Sequence, residues 1–365
     1  MSEVLKKITE AGTSIWLDDL SRERMIEGGK ARHLSELIAH DWVLGVTTNP
    51  AIFSSAISGS DLYRRDIESM RSNGLSAEEI ITELTTADVQ RACDYFLETY
   101  ERTQGVDGRV SIEVDPRLAR DTQGTLIQAR QLWQKVNRPN LLIKVPATRE
   151  GLPAIRTLIS EGISVNVTII FSVTRYREVL EAFISGLEDR GSKGESIDGI
   201  HSVASFFISR VDTEIDARLR SSGENLELCG RAALSNARLA YQHFLDVMNS
   251  ERWNALAKMG GAIQRPLWAS TGVKDPSYDP TMYVLELVAP HTVNTMPEAT
   301  LNALRATGAF KGETITDHFE RSAGDLAALA EIGIDIEAVA EKLENEGIDK
   351  FINPWLDLIE KVASL

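Results

Sequence analysis

The chain has 365 residues, 43% of them hydrophobic and 25% charged, with a formal net charge of −15 at neutral pH. That length supports a sizeable core, as one large α/β barrel or two smaller domains. The acidic balance provides no positive field for a nucleic-acid backbone or an anionic membrane, although a small phosphorylated substrate needs only one or two local cations. The two cysteines, Cys93 and Cys229, lie far apart in helical patterns and read as free thiols of a reducing compartment. The N-terminal MSEVLKKITEAGTSIWL has no long apolar core or cleavage site, and no apolar run reaches about 18 residues. The expectation is a cytoplasmic protein that neither spans a membrane nor is secreted.

Eight short apolar runs, rich in β-branched residues, alternate with longer segments of helical period. In chain order the runs are SIWLDD (14–19), WVLGVTTN (42–49), RVSIEV (109–114), NLLIKVPA (140–147), SVNVTIIFS (164–172), SVASFFIS (202–209), RPLWAST (265–271) and HTVNTMP (291–297). Residues 50–108 hold at least two helices. Within them Ser76 and Glu79 form a capping box, and Val89, Ala92, Cys93, Phe96, Leu97 and Tyr100 share one face. A second stripe is Leu126, Ala129, Trp133 and Val136. A third is Tyr176, Val179, Leu180, Phe183, Ile184 and Leu187. All three read as faces packed on a sheet. EDRGSKGESIDGI (188–200) reads as a surface loop, and residues 210–264 hold at least two more helices. The tail beyond residue 298 is helical in pattern. Asn353 and Pro354 fit a helix start, with proline at the first helical position. This tail is expected to pack on the outside of the barrel.

Alternating strand and helix predicts parallel strands with crossover helices, and eight such units predict a closed (β/α)8 TIM barrel. The expected layout is one domain, with its barrel core at about 14–310, extra helices in the second and sixth connections, and a helical extension at about 311–365. A doubly wound open sheet is the rival. IWLDDLSRERM, after the first run, has no G-x-G-x-x-G, which weakens the dinucleotide-binding version of it.

Active sites of such barrels lie at the C-terminal ends of the strands. The polar residues late in each run are Asp18, Asn49, Glu113, Lys144, Asn166 with Thr168, Ser205 and Ser270. Period two sets Leu142, Lys144 and Pro146 on one face and Ile143 and Val145 on the other, so Lys144 points into the barrel if the second face meets helices. A lysine there is either a Schiff-base nucleophile or a buried structural lysine paired with Asp18 or Glu113; spacing alone does not choose. Asp18 and Glu113 are candidate acid/base groups that divide the proton transfers of covalent carbonyl chemistry. Asn49, Asn166, Thr168 and Ser205 suit a polyhydroxylated substrate. Asp19, Asp115 and Asp121 read as solvated or loop-forming. His33, His40, His201, His243, His291 and His318 form no ligand pair, so no metal is expected. No Walker motif and no G-x-S-x-G elbow is present.

GVTTNPAIF (45–53), SIEVDPRLARDT (111–122), LLIKVPAT (141–148), GISVNVTIIFS (162–172) and SFFISRVD (205–212), with a looser ASTGVKDP (269–276), resemble the transaldolase family in motif and order, over about four-fifths of the chain. The likeness is to a longer bacterial type. The resemblance implies catalysis by Lys144 as the imine-forming lysine and by Asp18 as the base in carbon–carbon cleavage. It implies that Glu113 and Thr168 hold a water used in proton transfer, and that Asn49, Asn166 and Ser205 bind the hydroxyls of a dihydroxyacetone unit. Arg210 is then the phosphate ligand. Lys274, near Ser270, stands where many members place an arginine. Phe207 stands where fructose-6-phosphate aldolases usually carry tyrosine, which favours holding the fragment over releasing it. The implied substrates are ketose and aldose phosphates of the non-oxidative pentose phosphate pathway, with no metal or organic cofactor and no nucleic-acid or membrane partner. Monomer and homodimer both stay open. The rival readings are an aldolase that releases dihydroxyacetone, or a non-catalytic sugar-phosphate-binding barrel.

Overall fold

Each apolar run becomes a strand: β1 (Thr13–Leu17), β2 (Val43–Val46), β3 (Arg109–Glu113), β4 (Leu141–Pro146), β5 (Val165–Ile170), β6 (Ser202–Phe207), β7 (Gln264–Ala269) and β8 (Thr292–Met296). The computed structural model describes residues 2–364. All neighbours pair in parallel, and β8 closes on β1 with Thr13 opposite Thr292, giving a closed eight-stranded barrel in sequence order. Most predicted runs outlast their strands at the C-terminal end. Asp18, Asn49, Ser209 and Ser270 lie beyond the ladder, where the chain turns over the barrel mouth. Gly45 shows how tightly the interior is filled, because a Cβ there would come 2.7 Å from the Trp16 ring and 2.8 Å from the Arg109 carbonyl oxygen.

The opposite end of the barrel is closed by a buried polar cluster. Arg265 pairs with Asp107 at 2.9 Å and donates to Ser14 Oγ at 2.8 Å, while Ser14 and Trp16 donate to Asp107 at 2.7 and 3.0 Å. Polar groups at this N-terminal face belong to stability, and those at the mouth to chemistry.

The two long connections hold the helices expected of them, three in each where at least two were required. Residues 50–108 hold three helices, Pro50–Gly59, Arg64–Ser72 and Ala77–Arg102, the last with the Ser76/Glu79 capping box. After β6 come Ser209–Ser222, Ala232–Met248 and Glu251–Lys258. The start of 188–200 is not loop, because helix Val173–Ser192 extends through it, with Arg252 bridging Glu181 and Glu188 on its outer face. Cys93 is buried in a helix; Cys229 sits in a turn after the short 3-10 helix Leu226–Leu228, not in an α-helix. Among the described residues no helix is long and apolar enough to cross a membrane.

The C-terminal tail departs furthest from expectation. Helix Ile336–Ser364 runs unbroken through Pro354, so Asn353 and Pro354 are interior positions and not a start. The helix also crosses the barrel mouth and does not pack outside it. Thr174 donates to Glu337 at 2.7 Å near the β5 end, and Lys361 donates to the Ser58 carbonyl at 3.0 Å beyond β2. Proline inside a helix costs about 3 kcal/mol. Burial of Val339, Leu343, Phe351, Leu358 and Val362 along one stripe, worth about 1.5–3 kcal/mol for each large side chain, offsets that cost.

Helix Ser209–Ser222 carries a buried carboxyl, Asp212, which accepts from Ala233 N–H at 2.8 Å and Tyr283 O–H at 2.7 Å. Burial pushes its pKa up to about 7 against both hydrogen bonds. Between the unfolded value of about 4 and this folded value, the native state holds a proton that the unfolded chain has released. Stability from this group is therefore fully present below about pH 4 and declines as pH rises towards the folded value. Asp212→Asn keeps an acceptor for Ala233 and is expected to flatten the fall in Tm across that window by about one proton's worth of slope. An unchanged slope in melts taken at several pH values would mean that Asp212 is ionised throughout.

Candidate active site

Strand register builds the centre of the mouth. Glu113 on β3 lies opposite Lys144 on β4, Lys144 lies opposite Asn166 on β5, and Pro146 lies opposite Thr168. Alternation along β4 turns Lys144 inward, with 5% of its side chain exposed. Its Nζ lies 3.1 Å from Glu113 Oε2 and donates to the Thr48 carbonyl at 3.1 Å. The Phe351 ring, on the C-terminal helix, is centred 5.4 Å from the same nitrogen.

Glu113 is buried at 2% side-chain exposure, and neither of its oxygens has an aligned hydrogen bond to protein. Burial pushes its pKa up, the Lys144 charge opposing and Asp18 reinforcing the shift. Thr168 Oγ1 is likewise buried without a protein partner. Such unmet groups are rare in folded proteins and point to use by a substrate or solvent molecule. The next residue, Ile169, holds φ at 57° where β5 slips register between Val167 and Ile170. A β-branched side chain in the left-handed region is strained, and such strain gathers at functional sites.

Asp18 follows β1 and is half-buried. Its Oδ1 accepts from Thr47 Oγ1 at 2.7 Å, and Thr47 in turn lies 2.6 Å from Thr295 Oγ1. Burial raises the Asp18 pKa, against the Lys144 charge and the Thr47 hydroxyl. Asp19 is held apart from this group by buried Arg24, whose Nε donates to it at 2.8 Å. Asp121 caps helix Thr122–Val136. Asp115 is buried, not solvated, and binds Arg117 at 2.6 Å.

Around these groups lies a ring of neutral donors and acceptors. Asn166 Nδ2 donates to Ser111 Oγ at 2.9 Å and its Oδ1 accepts from Ser205 Oγ at 2.7 Å. Asn49 Oδ1 accepts from Ile52 N–H at 2.9 Å, capping helix Pro50–Gly59 and fixing its own side chain. Ser111 escaped the sequence reading. Its signal was its place two residues before Glu113, on the same face of β3.

Arg210 enters from the first turn of helix Ser209–Ser222, and its guanidinium lies 5.2 Å from the Phe207 ring and 6.0 Å from the Phe351 ring. Its Nη1 is buried without a partner, and among the described residues it forms no salt bridge. Burial lowers its pKa, with Asp18 opposing. Phe207 packs on Phe171 at 5.2 Å. Gly347, one turn before Phe351, passes close enough that a Cβ there would lie 3.5 Å from Arg210 Nη1. Gly347, Phe351 and Phe171 were also missed, since only the tertiary fold brings them here. Ser270, at φ 55°, lies 3.0 Å from Ser209 Oγ and ties the tops of β6 and β7. Lys274 is exposed in the following loop, and no hydrogen bond or ion pair joins it to the cluster.

The assembled mouth holds one buried amine, two carboxyls of raised pKa, an unpaired guanidinium and a ring of hydroxyl and amide groups. It suits covalent carbonyl chemistry on a polyhydroxylated, anionic substrate. A family model described as Transaldolase/Fructose-6-phosphate aldolase matches residues 15–362. The transaldolase of Thermobifida fusca is 51% identical over 365 residues, covering 100% of this chain and 98% of that protein. Transaldolase 1 of Streptomyces avermitilis is 52% identical over 364 residues, covering 99% and 95%. The transaldolase of Mycolicibacterium smegmatis is 52% identical over 358 residues, covering 98% and 95%.

Proposed function

Because the chain belongs to the transaldolase/fructose-6-phosphate aldolase family, we infer that it acts as a transaldolase with Lys144 as its Schiff-base lysine. The reaction moves a dihydroxyacetone unit from fructose 6-phosphate or sedoheptulose 7-phosphate to erythrose 4-phosphate or glyceraldehyde 3-phosphate, a step of the non-oxidative pentose phosphate pathway. The observation that carries the residue assignment is the buried Lys144 amine, 3.1 Å from Glu113 and close enough to Asp18 to act on its ionisation.

In this reading Lys144 passes a proton to Glu113, 3.1 Å away, and the freed amine attacks the ketose carbonyl. Glu113, whose Oε1 has no protein partner, and Thr168, whose Oγ1 has none, hold the water through which protons pass as the carbinolamine dehydrates. Asp18 then takes the proton of the hydroxyl two carbons from the imine. The carbon–carbon bond breaks, its electrons pass into the iminium, and the aldose phosphate leaves. The three-carbon enamine stays on Lys144, adds to a second aldose phosphate, and Asp18 returns the proton. Asn49, Asn166 and Ser205 bind the hydroxyls of the fragment. Arg210, which forms no salt bridge among the described residues, meets the phosphate, since its planar fork matches that anion. Ser270 and Lys274 complete the phosphate end, Lys274 as an exposed point charge. Phe207 offers no hydroxyl with which to direct water at the imine.

Borohydride reduction in the presence of fructose 6-phosphate is expected to leave a three-carbon adduct on the peptide containing Lys144. Adding erythrose 4-phosphate before the reductant should deplete it. Active, folded protein that yields no adduct in intact-mass analysis would remove the Schiff-base assignment.

A further inference from the structure

We propose that Phe351, on the C-terminal helix, is a specificity-determining residue that shields the lysine-bound three-carbon fragment from water and so favours transfer over release; the proposal rests on the reading of Lys144 as the Schiff-base lysine. The ring is 5% exposed and is centred 5.4 Å from Lys144 Nζ and 6.0 Å from the Arg210 guanidinium. It therefore covers the reacting nitrogen and reaches the phosphate ligand at once. Helix Ile336–Ser364 spans the mouth as a strap. Arg175 holds Glu344 at 3.5 Å, Arg120 holds Asn345, and Lys342 holds Glu214 at 2.5 Å. These clasps lie on one side of Phe351 and the bond of Lys361 to Ser58 on the other. A phenyl ring has no donor or acceptor with which to order a water molecule, so its presence over the amine makes that side of the site dry.

A cleft of about 490 Å³ runs along the helix between the loops after β3, β4 and β5, and Phe171 lines both it and the site through its contact with Phe207. Pro354 has no N–H to bond the Lys350 carbonyl, so the helix yields most easily three residues beyond Phe351.

Release of the fragment follows a defined course. The enamine takes a proton on its terminal carbon and returns to the imine. Water adds to the imine carbon, the carbon–nitrogen bond breaks, the water oxygen becomes the ketone oxygen of dihydroxyacetone, and the water protons leave on the lysine amine. Transfer needs no water between cleavage of the donor and addition of the acceptor. The product ketose also leaves by addition of water to its imine carbon, so shielding by Phe351 acts in the interval between cleavage and acceptor addition, when only the three-carbon fragment fills the mouth and water would otherwise enter.

The test compares wild type, Phe351→Ala and Phe351→Val. It reads free dihydroxyacetone formed from fructose 6-phosphate without acceptor, transfer to erythrose 4-phosphate, and the borohydride-trapped adduct. Phe351→Ala is expected to raise the ratio of release to transfer roughly tenfold, with Phe351→Val intermediate. The trapped three-carbon adduct should fall in the same order. An unchanged ratio in folded variants that still form the adduct overturns the shielding role. Should Phe351→Ala not fold, the ratio in Phe351→Val decides by the same criterion. A wild-type protein with no adduct on Lys144 takes down the Lys144 reading and this proposal with it, which separates the two failures.

Discussion

Lys144→Ala is expected to lose transfer by roughly 10⁴-fold or more while keeping its fold. The substitution removes the nucleophile, and none of the neighbouring groups, Glu113, Asp18, Asn166 or Thr168, replaces an amine. The fold survives for an electrostatic reason. Glu113 loses its cation at 3.1 Å, but burial already pushes its pKa up and the Lys144 charge is what opposes that shift. Without the lysine the carboxyl takes a proton instead of remaining a bare buried charge. The cost is then that of an unmet neutral group, about 1–3 kcal/mol, which a well-packed barrel tolerates. Transfer assays, borohydride trapping and thermal melts check the three parts of this expectation. Transfer persisting in a folded variant would mean that another group forms the imine.

The eight strands were legible because each buries both faces and so reads as a continuous apolar run broken only by functional residues. Lys144 between Ile143 and Val145 stood out for the same reason, since no packing demand explains a charge there. Pairings across the chain were not legible. Arg265 and Asp107 meet at 2.9 Å from strands and loops 158 residues apart, and nothing local announces it. The C-terminal helix misled in a more instructive way. Asn353–Pro354 carries the local signature of a helix start, yet an apolar stripe on both sides of Pro354 outweighs it by burying against the mouth. The stripe itself was readable, but not the surface it covers, and for that reason Phe351 and Gly347 went unseen. Ser270, at the right strand end, also meets Ser209 at 3.0 Å, a contact across the tops of β6 and β7 that nothing local announces.

Asp18→Asn separates the two halves of the reaction. Imine formation draws on Lys144, Glu113 and Thr168, all of which remain, whereas cleavage draws on the base that is removed. Asparagine is nearly isosteric and still offers Oδ1 to the Thr47 hydroxyl, which donates at 2.7 Å, so the geometry beyond β1 is kept. Transfer is expected to fall roughly 10²–10⁴-fold, the range over which a positioned general base acts. Trapping with fructose 6-phosphate should then recover an adduct carrying the whole ketose phosphate in place of the three-carbon fragment. The wild-type pH profile supplies an independent sign. Asp18 works as a carboxylate and burial raises its pKa, so activity should fall, as pH drops, at a higher pH than an ordinary aspartate would give. That acid limb belongs to Asp18 only if it is lost from the residual activity of the asparagine variant. A three-carbon adduct appearing at the wild-type rate in Asp18→Asn would instead move the base to Glu113, the other carboxyl of raised pKa in the mouth.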